Sequence, residues 1–501
     1  MKSLKSILNI GLLFLAMHSL CLGQKHDNRW MLGYISGPNF SQPALDFYFG
    51  YPDTIGFYGY FLFYNANVSM SNAQGALQFY TNGTEVANKL HSPLAGSLNY
   101  NAGVINANNQ PLQMDQSVIG IPDPGSSSNY YLFHVSGGPY ISSYQPVQLK
   151  MSKIDMSLQG GLGQMVSTVN ALSTPLLYRT LHAVKHGNGR DWWIVIGGYN
   201  SGQFFSLLLT PNGIDTTVIS NTPVVFPFGL IRGQCSFSAD GSTFALTSGD
   251  LNQVSATNQV VVYNFDRCNG NFSHRETFYF PSTIDSTLYG CQISPSGRYL
   301  YVNTGVNLYQ YDLSAPVIST TKAHIAIYNN FQIPNSIPFY LMQLGPDNKI
   351  YMGSVGGSKY ISVINYPDSA GVSCNFVQQQ LQLVANYTGT FPHFPNYRLG
   401  PATGSLCDTL TVGIATNTIG VQKSYYSNGN IVIELIGNFN QNLSYRLYSS
   451  SGQLVQKGMM QCERGSPCLI PVDASTNSGI YIFQIDDTKL YSRSKVAIIK
   501  N

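Results

Sequence analysis

The chain is poor in charge. Of its 501 residues only 10% are Asp, Glu, Lys or Arg, and glutamate occurs four times, as Glu85, Glu276, Glu434 and Glu463. Lys and Glu normally cover helix surfaces, so a mostly helical fold has little here to present to water. The net charge of +3 is too small to point to nucleic acid or an anionic membrane as partner. Beyond the first 22 residues no stretch is apolar enough for a transmembrane helix. Cys-x-x-Cys, His-Glu-x-x-His, Gly-x-Ser-x-Gly, a phosphate loop and an EF-hand run are all missing, and no His stands at ligand spacing to a Cys. No metal or other cofactor is therefore expected.

What remains is rich in Gly (48), Tyr (34) and Phe (26), with 44% hydrophobic residues overall. That mixture suits pleated, half-buried surfaces joined by tight turns, an all-β composition. The start of the chain reads as an export signal over residues 1–23. Lys2 and Lys5 precede an apolar stretch from Ile7 to Leu22, and small residues, Cys21 and Gly23, flank Leu22 before Gln24. Leu20 is too large for a lipoprotein cleavage site ahead of Cys21. The expected location is the medium or the outer cell surface.

Removing the signal leaves seven cysteines, an odd number that in an oxidising compartment forms disulfides with at least one thiol over. Cys462 and Cys468 flank a short "ERGSP" loop and are expected to bond. Cys374 with Cys407, and one pair among Cys235, Cys268 and Cys291, complete the expectation.

Two phrases nearly repeat: "CSFSADGSTFALTSG" from Cys235 and "CQISPSGRYLYVNTG" from Cys291, with a third relative, "MQLGPDNKIYMGSVGG", from Met342. Each is a short strand, a turn rich in Pro, Asp, Ser and Gly, and a second strand. A period near 50 residues with about four strands per unit marks a β-propeller. Worn copies start at His182, at Ser117 and around Gly75. These make six units over residues 24–400. A seventh, pairing Asn386–Leu399 with the strand from Arg29, would close the ring and hide its edges, so seven blades are favoured over six.

A spacer rich in Gly, Thr, Ala and Ser covers residues 401–421, and residues 422–501 read as a small β-sandwich of five or six strands. Segments such as "GALQFYTNGTEVAN", "LHAVKHGNGRDWWIV" and "SVINYPDSAGVSCNF" resemble a family of exported propeller proteins from Bacteroidota. The last 80 residues resemble a type IX secretion C-terminal sorting domain. The family's Gly-x-Tyr falls on Gly479 and Tyr481, and its terminal basic strand runs from Lys495 to Lys500. Its usual Pro-Asn-Pro entrance is replaced by "YYSNGN". The resemblance implies the type IX secretion machinery as a partner. It also implies O-glycosylation at Asp-Ser/Thr sites, here Thr54, Thr216, Ser286, Ser369 and Thr409, although Asp followed by Ser or Thr also favours turns.

Glycosidases need two facing carboxylates, one with a raised pKa. The propeller region holds only Glu85 and Glu276, and most of its Asp lie in turn motifs. The reading is a non-catalytic module that binds a glycan or protein, or serves as a structural surface component. The alternative is a secreted glycoside hydrolase or lyase. Most aromatic rings, Trp192 and Trp193 included, are expected as filler between blades. Polar residues recur where each unit's first strand begins: Gln116, Arg179 and His182, Arg232, Gln292, and Tyr340 with Gln343. Because an unpaired buried amide costs roughly 1–3 kcal/mol, this recurrence points to a wet central channel. These residues are expected to form the floor of one mildly basic pocket for a neutral or acidic glycan or a peptide.

Overall fold

The computed structural model describes residues 24–33, 41–59, 61–98, 100–101, 114–136, 147–226, 233–249, 258–281, 283–332, 338–408, 420–436, 441–449, 453–462, 467–487 and 490–499. The chain divides into two compact units, Met1–Thr409 and Leu410–Asn501.

Among the described residues the first unit is a β-propeller of six antiparallel sheets, one of them seven-stranded and carrying two blades, which makes seven blades each built outward from a first, inner strand. The inner strands are Arg29–Met31, Val68–Ser71, Val118–Pro122, the second half of Gln164–Lys185, Cys235–Phe237, Cys291–Ile293 and Phe339–Leu344. The three repeated phrases head the last three blades, as their spacing requires. The 22-residue strand Gln164–Lys185 belongs to two blades. Residues up to Leu176 pair with Val147–Asp155, and those from Leu176 onward pair with Trp192–Gly198. Its burial switches at the same place, from mostly exposed to wholly buried. One strand is therefore the rim of the third blade and the axis of the fourth.

Ring closure differs from expectation. The strand Arg29–Met31 does not pair with the end of the propeller region but opens a blade of its own with Ser41–Asp46 and Asp53–Tyr58. Residues 388–399 form no strand. Pro392 and Pro395 lack the N–H groups a ladder needs. The segment is instead a strap. Thr388 N–H donates to Gly33 O at 2.7 Å, His393 N–H to Asn67 O at 2.9 Å, and Tyr397 Oη to Gly120 O at 2.7 Å. Phe391 and Phe394 pack on Trp30 with ring centroids 5.4 and 5.8 Å away.

The blades are filled with aromatic rings. All three tryptophans are buried. Trp192 faces Tyr397, while Trp193 lies on the opposite face of its strand and donates its indole N–H to Arg267 O, as alternation along a strand demands.

The cysteines match one expectation and correct two: Cys374 does not bond to Cys407, and no pair forms among Cys235, Cys268 and Cys291 because Cys268 takes a partner outside that trio. Cys462 and Cys468 are bonded. Cys407 bonds to Cys268, not Cys374, while Cys235, Cys291 and Cys374 are buried free thiols. Two contacts bring the partners together. Arg267 Nη2 donates to Gly400 O, and Ala402 N–H donates to Gly187 O, folding the tail back over the turn that carries Cys268. Residues 401–408 thus belong to the propeller unit rather than to a free spacer.

The second unit has two sheets, Gly420–Ser427, Asn430–Ile436 and Cys468–Pro471 in one, and Leu454–Cys462, Gln441–Ser449, Gly479–Asp487 and Leu490–Ile498 in the other. Ile431, Ile433, Leu443, Leu447, Phe483 and Ile498 fill its core. Gly479 pairs with Ile498, and Tyr481 pairs with Val496 and donates its hydroxyl to Asn477 O at 2.8 Å. Lys495 lies in the last strand; Lys500 lies outside the described residues. Among the described residues no helix is long and apolar enough to cross a membrane.

Candidate ligand site in the propeller channel

The predicted channel residues lie at two levels, not on one floor. Register breaks separate the levels: the pairing of Gln164–Lys185 with Trp192–Gly198 shifts between Leu177 and His182, and that of Phe339–Leu344 shifts between Phe339 and Met342. Arg179 and Tyr340 lie inside these breaks, and His182 and Gln343 follow three residues after Arg179 and Tyr340, in the paired stretches beyond. At the rise of a strand this is on the order of 10 Å along the axis.

At the far level is a cavity of ≈ 210 Å³, lined by Gln116, His182, Gln234, Gln292, Gln343 and Asn396 among others. Gln292 and Gln343, which hold matching places in their repeats, both reach it. Gln292 donates Nε2–H to Ser236 Oγ at 2.9 Å, and Gln343 donates to Leu344 O at 3.2 Å. Asp27 and Arg398 also line the cavity and form an ion pair with each other. Burial pushes the His182 imidazole down to about 4, opposed by a backbone hydrogen bond at Ala183. The ring of His393 stands 4.8 Å away, edge to face. Burial first, then the neighbouring His182, holds it well below the usual imidazole range. Both rings are neutral near pH 7.

Between the levels two glutamines span the channel. Gln116 accepts the N–H of Cys235 and donates to Cys235 O, both at 2.8 Å. Gln234 accepts from Met342 N–H at 2.9 Å and Cys291 N–H at 3.1 Å, and donates to Met342 O. These amides act as detached peptide groups tying inner strands that have no ladder between them. A cavity of ≈ 20 Å³ adjoins them, room for one water.

At the near level Asp115, with no exposed surface, receives three donors. Tyr340 Oη–H lies at 2.8 Å, Asn65 Nδ2–H at 2.6 Å, and Arg179 Nη2 at 3.2 Å. Arg232 lies outside the described residues.

The sequence pattern singled out Gln116, Arg179, His182, Gln292, Tyr340 and Gln343. It did not find Asn65, His393 or the Asp27–Arg398 pair, which come from loops and the strap and share no repeat position. Of the glycosylation candidates, Thr216 is exposed, Thr54, Ser286 and Ser369 are half-buried, and Thr409 lies outside the described residues.

No family model matches this chain, and no curated protein matches it. Among solved structures it is similar to a candidate 6-phosphogluconolactonase from Bacteroides uniformis, at 12% identity over 89% of this chain and 98% of that one, with a TM-score of 0.35. It is also similar to the periplasmic gluconolactonase of Pseudomonas aeruginosa, at 10% identity over 89% and 99%, with a TM-score of 0.36. Likenesses this distant say nothing of activity.

Proposed function

We propose that this chain is an exported, non-catalytic β-propeller that binds a neutral, polar ligand of the glycan class in the amide-lined cavity of its channel. One observation carries the reading. The cavity is lined with side-chain amides, and among the described residues its lining includes a single carboxylate, Asp27, already paired with Arg398. Amides offer donor and acceptor together and match sugar hydroxyls. Hydrolysis of a glycosidic bond needs two carboxyl groups about 5–10 Å apart. The two histidines, neutral and desolvated, are poor general acids at pH 7. At ≈ 210 Å³ the cavity is below the roughly 300 Å³ at which drug-sized sites begin, and it fits one sugar residue better than a polymer segment.

Export belongs to the same proposal. Residues 1–23 act as the signal, and the C-terminal sandwich acts as the address read by the type IX machinery. Two disulfides support an oxidising destination.

A glycan array probed with the purified full chain tests the binding reading. Binding should fall at least tenfold in a Gln292→Ala/Gln343→Ala double variant. A folded double variant with wild-type binding, or turnover of any arrayed glycan, overturns it.

A further inference from the structure

The near end of the channel holds a second, separate feature. Arg179 is 7% exposed; Asp115 and the neighbouring Tyr178 both favour its charge, and among the described residues its Nε and Nη1 make no hydrogen bond of ordinary length. A guanidinium carries five N–H groups, and three of them sit on these two nitrogens. Buried donors rarely stay unpaired, and a buried arginine least of all. The backbone also spends strain to place it: Arg179 has φ +68°, in the left-handed region that side chains disfavour. The bulge is fixed by Thr180, whose Oγ1 donates to Leu177 O at 2.7 Å and accepts Gly197 N–H at 2.8 Å. Bulges of this kind re-aim a side chain beside functional sites. The inner strand of the seventh blade has its own register shift at Tyr340. Two irregular strands therefore deliver Arg179 and Tyr340 to one buried carboxylate, Asp115.

Charge decides what the open N–H groups accept. Asp115 already neutralises Arg179, so a second anion would leave a net negative charge in a dry site, which is unfavourable. A neutral oxygen acceptor carries no such cost. The Tyr178 ring lies 5.3 Å under the guanidinium, and Tyr289 stands 5.6 Å from Tyr340, edge to face. Flat rings beside fixed donors suit a sugar.

We propose that Arg179, backed by Asp115 and Tyr340, forms a second saccharide subsite that takes hydroxyl or ring oxygens of a neutral sugar. The subsite is independent of the amide-lined cavity and stands or falls separately from it.

Ligand-observed NMR on the full chain, with galactose, glucose, mannose, N-acetylglucosamine and galacturonate as probes, tests this. At least one neutral sugar should bind the wild type. Its affinity should drop at least tenfold in Arg179→Met/Asp115→Asn, a swap that removes both charges together and leaves no lone buried ion. Asp115→Asn alone leaves the arginine unbalanced, so the ratio of galacturonate to neutral-sugar affinity should rise at least tenfold. The proposal is overturned if no neutral sugar binds, if galacturonate binds the wild type most tightly, if the paired swap leaves binding unchanged, or if Asp115→Asn does not shift the ratio.

Discussion

Replacing Gln234 by Met keeps the side-chain length and removes every hydrogen bond. The structure then leaves three backbone groups without partners: Cys291 N–H, Met342 N–H and Met342 O. Each orphaned buried group costs about 1–3 kcal/mol. The ≈ 20 Å³ cavity beside Gln234 admits one water, which rescues part of this and favours the lower half of the range. The expected loss is about 3–6 kcal/mol. A folding unit of roughly 400 residues unfolds with an entropy near 0.8 kcal/mol/K, so the melting temperature should fall by about 4–7 °C. Gln343→Met is the control, because its amide is bonded only to the carbonyl of the next residue. It should cost under about 1 kcal/mol. Thermal unfolding followed by circular dichroism, with urea midpoints as a check, reads both variants. Equal shifts for the two glutamines would refute the idea that Gln234 ties the inner strands together.

The Cys268–Cys407 bond closes 139 residues, so Cys268→Ser/Cys407→Ser should lose about 5 kcal/mol on the chain-entropy account, measured by denaturant titration under oxidising conditions. His182 and His26 are both held down to about 4 in the folded protein, first by burial. The unfolded chain binds their protons near 6.5 and the folded one does not, so stability should be constant above pH 7 and fall steadily between about 6.5 and 4. A flat profile of melting temperature over that window would contradict neutral burial. Mass spectrometry of culture medium should find a chain starting near Gln24 and lacking about the last 80 residues; an intact end at Asn501 counts against the sorting reading. Intact mass of the native protein should exceed the sequence mass by glycan units if the Asp-Ser/Thr sites are used.

The propeller was legible because its repeats carry turn chemistry. Ser-Ala-Asp-Gly, Ser-Pro-Ser-Gly and Gly-Pro-Asp-Asn each mark the hairpin after an inner strand, and the spacing between them counts the blades. The two halves of Gln164–Lys185 were less legible, because no turn separates the rim of one blade from the axis of the next. Closure is not legible: residues 386–399 look aromatic and strand-like, yet Pro392 and Pro395 remove the donors that pairing needs. Disulfide partners 139 residues apart cannot be read from spacing, since the fold alone brings the tail back over Cys268. The recurrence of polar residues is legible in the sequence, but their division between two levels is not. A register break changes which way a residue three positions along will point, and no residue type announces it.

Carboxylate placement argues more strongly about chemistry than the fold does. Among the described residues, the two ends of the channel each hold one buried carboxylate, and each already faces an arginine: Asp27 with Arg398, Asp115 with Arg179. A hydrolase keeps at least one such group available to take or give a proton. Here the acids orient the arginines. Asp115 balances the charge of Arg179, and among the described residues Nε and Nη1 are left without a hydrogen bond of ordinary length, so the pair acts as a rigid, neutral donor. The cavity amides make the same offer without a charge at all. On the proposed reading, described polar groups that are neutral or balanced would sort sugars by hydrogen-bond geometry, as telling one hydroxyl pattern from another requires.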